Sequence, residues 1–206
     1  MKKMNRLILM SILCCFFPMI LGLIYYPSLP DKMAIHFNFQ SVPDNWYPKF
    51  IVLFILPLIL LLGHAFCLYC TFKDTKNVEN QAMIHIVIWI IPVLSNAISM
   101  ILIAYALGVI FNISFFIRFL IALLFIILGN YLPKSRVSDT IGIRLPWTVN
   151  NPEVWRKTHR MAGYLWLIGG LVLLCTLPFD SGVLFIILVF AMGIIPTGYS
   201  YYLAHH

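Results

Sequence analysis

The chain has 206 residues, 62% of them hydrophobic and 10% charged, with a formal net charge of +7. A soluble domain has about a quarter charged residues and under half apolar ones, so a water-soluble fold of this size is excluded. Apolar runs separated by brief polar stretches leave no room for an autonomous globular module, and 1–206 reads as a single membrane domain.

Crossing the hydrocarbon takes roughly 20 consecutive, mainly apolar residues. Leu7 to Tyr26, Phe50 to Cys70, Met161 to Leu177 and Val183 to Tyr202 meet that standard. Ile84 to Gly129 is also apolar apart from scattered Ser, Gly and Asn and one Arg. As one helix it would be about 69 Å long at 1.5 Å per residue, which is two crossings. Gly108, Asn112 and Ser114 break the pattern, so the turn is expected within Leu107 to Ser114. The expected fold is all-α and polytopic, with six transmembrane helices.

Met1 to Arg6 and the apolar run after it have the outline of a secretory signal. No small-x-small site follows in 16–30 and the run is long enough to span, so it is read as an uncleaved first helix. Positive loops stay cytoplasmic. With both termini inside the cell, the inner segments hold Lys2, Lys3, Arg6, Lys73, Lys76, Lys134, Arg136, Arg144, Arg156, Lys157 and Arg160, against Lys32, Lys49 and Arg118 outside. A wrong number of spans would put the basic 133–160 loop on the side of the nearly neutral 27–49 loop. The positive charge is spread over separate loops, which argues against direct nucleic-acid binding. The five cysteines all fall in proposed helices and form no disulfide framework; Cys67 and Cys70, a lone C-x-x-C pair, read as buried or interfacial thiols.

In the outer 27–49 loop, Met33, Ile35, Phe37 and Phe39 alternate with Ala34, His36, Asn38 and Gln40, the period of a strand with one apolar face. Pro43, Asp44 and Asn45 are expected to turn the chain. A lone strand is unstable in water, so its apolar face is expected against the outer helix ends or the bilayer surface. Trp46, Tyr47 and Pro48 precede the second helix, at headgroup level. The 71–83 segment reads as a solvated connector with Lys73, Asp74, Lys76 and Glu79, and Pro178 to Gly182 as a tight outer turn. In the inner loop, Asn151, Pro152 and Glu153 form a helix start: an N-cap, a proline at the first position and an acid in the first turn. This cytoplasmic interfacial helix has no stop signal before the membrane. Trp155, His159, Ala162 and Trp166 lie on one stripe of it, with Arg156 and Arg160 on an adjacent face.

Residues 129–170, GNYLPKSRVSDTIGIRLPWTVNNPEVWRKTHRMAGYLWLIGG, resemble the C-terminal half of the SdpI immunity proteins of Gram-positive bacteria. LPDKMAIHFNFQSVPDNW, at 29–46, resembles the small membrane domain of unknown biochemical function that forms the N-terminal half of that family. The long motif IGIRLPWT followed by EVWRKTHR makes the resemblance specific, and it divides the chain into halves 1–105 and 106–206. Ser41 stands where the family usually has Gly, which argues against a tight, positive-φ turn there; Ser138 stands where Asn is common. The resemblance implies a non-catalytic protein without a cofactor that protects its producer against a secreted, membrane-active toxin peptide. By the best-known member it also implies signalling, in which the toxin-bound protein captures a small winged-helix repressor in the cytoplasm.

The inner candidate site is Asn130, Lys134, Arg144, Trp147, Thr148, Trp155, Arg156 and His159, read either as an anchor in the lipid bilayer or as a partner site. The outer, toxin-facing candidates are His36, Asn38, Asp44 and Trp46; a strand edge there could take up an extended peptide, while Asp44 could instead bond local backbone. Arg118, a few residues into the fourth span, reads as snorkelling to outer headgroups or as part of an outward-facing ligand site. His64, Ser95 and Asn96 are polar groups inside helices, for cross-helix bonds or for ligand binding. Gly163, Gly169 and Gly170 allow close helix approach. No catalytic residue and no metal site is assigned: H-E-x-x-H is absent and His36, His64, His85 and His159 lie far apart. No Asp or Glu lies in a proposed span, which argues against ion-coupled transport. A membrane-embedded enzyme or metal-dependent protein using the inner His, Arg and Asn cluster, and a small transporter, are the alternatives.

Overall fold

The computed structural model describes residues 2–38, 40–179 and 182–206. Phe39 and Asp180 lie outside the described residues, as do the side chains of Lys2, Lys3 and Glu79. Among the described residues, six helices are long and apolar enough to cross a membrane: Met4–Ser28, Ile51–Lys73, Gln81–Ala106, Ile113–Lys134, Pro152–Thr176 and Gly182–His205. The polytopic all-α class is as expected. The turn between the third and fourth spans falls at 107–112, inside the stretch the sequence marks, with Gly108 at φ +84°.

In order, the elements are α1 (Lys2–Tyr25), β1 (Lys32–Phe37), β2 (Pro43–Pro48), a π-helical turn (Ile51–Ile55) leading into α2 (Leu56–Lys73), a 3-10 turn (Thr75–Glu79), α3 (Gln81–Ala106), α4 (Ile113–Tyr131), a 3-10 turn (Leu132–Lys134), the one-turn α5 (Pro146–Val149), α6 (Pro152–Thr176) and α7 (Gly182–His205). The chain divides into two compact units, Met1–Tyr69 with Ile86–Phe116, and Cys70–His85 with Ile117–His206.

In the first unit, β1 and β2 pair antiparallel as a hairpin, so the sequence reading of a lone strand followed by a turn at Pro43, Asp44 and Asn45 is corrected. The reversal comes earlier because Asn38 Oδ1 accepts from the amides of Gln40 (3.0 Å) and Val42 (2.9 Å), an Asx turn closed on local backbone. Pro43 and Pro48 then stand at the two ends of β2, where a missing N–H costs the ladder little. Ser41 takes φ +61°, so the positive-φ turn survives without glycine. Its hydroxyl donates to Asn112 Oδ1 (2.8 Å) and accepts from Ser114 N–H (3.0 Å), which offsets the left-handed strain. As expected, the hairpin's apolar face packs on helix ends: Leu29, Met33, Val52, Leu53 and Ile103 form one core, with Ile35 and Phe54 against it. Irregular pairing between Ala34 and His36 puts Ala34 into the buried set as well as Met33, a departure from strict alternation that a bulge explains. Lys49 Nζ donates to the carbonyls of Leu29 (3.0 Å) and Tyr26 (3.3 Å), just beyond the end of α1.

Two proline-freed carbonyls show how the bundle satisfies itself without water. Proline has no N–H for the carbonyl four residues earlier, and in hydrocarbon that oxygen needs another donor. Pro18 frees the Cys14 carbonyl, which accepts from Asn96 Nδ2 (3.0 Å). Pro196 frees the Met192 carbonyl, which accepts from Trp166 Nε1 (2.7 Å). Each bond joins two helices of the same unit.

In the second unit, α4 and α6 meet through glycines. A Cβ on Gly129 would strike the α6 backbone at Trp166 and Leu167, and one on Gly163 would lie 2.8 Å from the Gly129 carbonyl. The stripe read from the sequence is the packed one: Trp155, His159 and Ala162 are buried, with Leu173 further along α6. Arg156 and Arg160 are exposed. Asn151 caps α6 by accepting from the amides of Glu153 (3.0 Å) and Val154 (3.2 Å).

Candidate functional sites

The eight inner candidates do not form one site. His159 and Trp155 stack, ring centroids 4.0 Å apart, and both are buried. His159 Nδ1 faces the Trp155 carbonyl (2.9 Å), so it carries the proton, and Nε2 accepts from Ile143 N–H (2.9 Å). Both ring nitrogens are therefore engaged with backbone. Trp155 Nε1 donates to the Ser135 carbonyl (3.1 Å). Gly142, at φ +114°, lies over this pair: a Cβ there would sit 2.5 Å from His159 Nε2 and 2.8 Å from the Trp155 ring. Thr148 is buried, donates to the Ile143 carbonyl (2.8 Å) and accepts from Leu145 N–H (2.9 Å). Trp147 donates to Ser200 Oγ (3.0 Å) and meets Tyr201 edge-on. These four residues fasten the 135–149 segment to α6 and α7. Asn130, Lys134, Arg144 and Arg156 are exposed, with Lys134 over the Tyr131 ring. A polar cleft of about 390 Å³ lined by Asn151, Glu153, Lys157, Tyr202 and His206 includes none of the eight.

The 71–83 segment is not the solvated connector the sequence suggests. Asp74 Oδ2 accepts from Ser138 Oγ (2.9 Å), Asp139 N–H (2.9 Å) and Thr140 Oγ1 (3.1 Å), and Oδ1 from Lys76 N–H (3.0 Å). Burial works to raise the Asp74 pKa, but these bonds outweigh it and hold the carboxyl below its ordinary value. Asn77 donates to Thr140 Oγ1 (2.7 Å), and Asn80 Oδ1 accepts from Arg136 N–H (2.8 Å). Lys76 pairs with Asp139 (2.7 Å). Asn77, Asn80 and Ser138 are buried. Two Asn and an Asp within seven residues were a usable signal, but their partners lie some 60 positions away and could not be read locally. Ser138 replaces the common Asn at its position and still accepts from the amides of Thr140 (3.0 Å) and Ile141 (2.9 Å).

The outer candidates separate by role. Asn38 builds the hairpin turn. His36 Nδ1 and Asp44 Oδ1 lie 2.5 Å apart across the strands, both well exposed, so Asp44 pairs across the hairpin in place of the expected bond to local backbone. Trp46, half exposed, lines a cleft of about 390 Å³ with Met33, Ala34, Tyr105, Val109, Ile110 and Phe111. Its walls are the hairpin and the 107–112 turn, where Ile110 is 99% exposed. Trp46 was named from the sequence; the turn facing it was expected there too, but not as part of a site, because Leu107, Val109, Ile110 and Phe111 carry no polar group to mark one. Arg118 is 5% exposed and donates to the Phe179 carbonyl (3.2 Å); neither snorkelling nor an open outward site describes it.

Among the described residues no three His, Cys, Asp or Glu side chains gather to hold a metal. The geometry defines a polytopic membrane protein with a hairpin-walled apolar cleft in one unit and a pinned polar loop in the other. Residues 134–200 match the SdpI/YfhL protein family, and residues 13–61 match a domain of unknown function, DUF1648. The chain is 26% identical over 206 residues to the immunity protein SdpI of Bacillus subtilis (strain 168), covering 98% of this chain and 96% of that protein. No solved structure matches it. The chain is therefore similar to the SdpI/YfhL protein family over its C-terminal third and to an SdpI immunity protein over nearly its whole length.

Proposed function

We propose that this chain is a non-catalytic immunity protein of the cell membrane that gives resistance to a secreted, membrane-active toxin peptide. The observation that carries the reading is the cleft between the hairpin and the 107–112 turn, an apolar opening beside exposed Trp46 and Ile110. A membrane-active peptide is itself apolar, and burying its side chains there is favourable at about 25 cal/mol per Å² of apolar surface. The full-length similarity to an immunity protein supports the same reading. A non-catalytic role is supported by His159, whose two nitrogens both serve backbone groups. In this proposal both termini are cytoplasmic, the hairpin is extracellular, and the exposed Arg144 and Arg156 are available to a cytoplasmic partner such as a winged-helix repressor. Such relay requires the toxin to bind one conformation more tightly than another.

The decisive experiment expresses the chain in a toxin-sensitive strain and measures tolerance. Tolerance rises with the wild-type chain and falls with Trp46→Ala at an equal amount of protein in the membrane. No protection from correctly inserted wild-type protein refutes the reading. Cysteines introduced at Asn38 and Asn150 label from opposite sides of intact cells; labelling from one side refutes the orientation.

A further inference from the structure

The interior of the first unit contains polar groups that the immunity reading does not use. His64 on α2 is fully buried, and its Nε2 lies 3.0 Å from Ser11 Oγ on α1. Ser11 donates its own hydrogen to the Ile8 carbonyl (2.8 Å). A hydroxyl has one hydrogen to give, so Ser11 must accept from His64, and the proton of the neutral imidazole sits on Nε2. Nδ1 is left as a bare acceptor, buried and without a protein partner among the described residues.

Asn96 on α3 reaches the same face of α1 one turn further on. Its Nδ2 hydrogens go to the carbonyls of Cys14 (3.0 Å) and Pro92 (2.8 Å). Because the amide group must point its nitrogen at these two oxygens, the flip is determined, and Oδ1 is a second buried acceptor without a protein partner. Ser11 and Cys14 are three residues apart, neighbours on a helix surface. Ser95 Oγ is also buried without a protein partner among the described residues, but its neighbouring position turns it away from the side of α3 that Asn96 presents.

We infer that α1, α2 and α3 form a binding site inside the bilayer for a small hydrogen-bond donor, held between His64 Nδ1 and Asn96 Oδ1. Two acceptors select a ligand with at least two hydrogens to give: water, or an ammonium-type cation. An anion or a carbonyl compound would meet lone pair with lone pair and is excluded. In hydrocarbon no bulk solvent can satisfy these atoms, whereas one ordered molecule with two or more polar partners can.

The test is solid-state NMR on the full chain in lipid vesicles, with ring-15N histidine. The His64 signals are those displaced by Ser11→Ala and absent in His64→Phe. The expected result is a protonated Nε2, and an Nδ1 shifted from the position of a bare ring nitrogen to that of one accepting a hydrogen bond, with magnetisation reaching it from exchangeable protons. Titrating ammonium chloride separates the sources: a saturable displacement of the Nδ1 signal marks the cation, and transfer from water protons without displacement marks water. Asn96→Leu loses most of the transfer; should that variant not fold, the wild-type spectrum decides. A bare Nδ1 receiving no transfer, or an Nδ1 carrying its own proton at neutral pH, overturns the inference.

Discussion

Replacing Asp74 with Ala removes the acceptor of four hydrogen bonds, from Lys76 N–H, Ser138 Oγ, Asp139 N–H and Thr140 Oγ1. Bonds to a charged group are worth about 1.5–3 kcal/mol when well buried. Asp74 is only part-buried and water can reach some of the freed donors, so about 0.5–1 kcal/mol each is the appropriate scale, or about 2–4 kcal/mol in all. At 1.4 kcal/mol per tenfold, the population with 136–141 detached rises at least about 30-fold. Hydrogen–deuterium exchange of the 136–141 amides in detergent or nanodiscs measures it directly. Asp74→Asn should cost less, because the amide can place its oxygen toward Ser138, Asp139 and Thr140 and surrender chiefly the Lys76 contact. The pH dependence has a definite sign. The folded-state pKa of Asp74 lies below its ordinary value, so docking is at full strength above about pH 4 and is lost as pH falls through the lower, folded value. Exchange at 136–141 unchanged in Asp74→Ala would refute the hub.

Gly142→Ala places a methyl group 2.5 Å from His159 Nε2 at φ +114° and should destabilise by about 2–4 kcal/mol, read as a fall in thermal midpoint; Gly63→Ala, inside α2 with nothing within 4 Å, is the control and should leave the midpoint unchanged or raise it by up to about 1 kcal/mol of helix propensity. His159→Ala loses the Trp155 stack and two backbone bonds, so tolerance should fall only in proportion to the folded protein recovered. A fully inserted, stable His159→Ala with no protection would restore a chemical role for that residue. Ser41→Ala keeps the left-handed backbone and loses both side-chain bonds, whereas Ser41→Gly loses the bonds but relaxes the backbone. Thermal unfolding should therefore rank alanine below glycine by about 1 kcal/mol; the opposite order would show that the positive φ costs nothing here.

The number of spans, their approximate ends, the turn between the third and fourth helices and the capped start of α6 were all legible in the sequence. Those features follow from local chemistry: apolar length against bilayer thickness, glycine and asparagine breaking a helix, Asn-Pro-Glu satisfying free amides. The buried stripe of Trp155, His159 and Ala162 was legible for the same reason, since helical spacing decides it. Tertiary structure alone decided what the polar residues do. Trp155, His159 and Thr148 look like ligands in a list of residues, but they are packing and hydrogen-bond partners for a loop that crosses them. Asp74 looks solvated and is the hub of that loop's attachment. Pro18 with Asn96, and Pro196 with Trp166, are pairs 78 and 30 positions apart. In a medium without water each unpaired backbone group must find a partner wherever the fold brings one, and sequence spacing carries no record of which one that is.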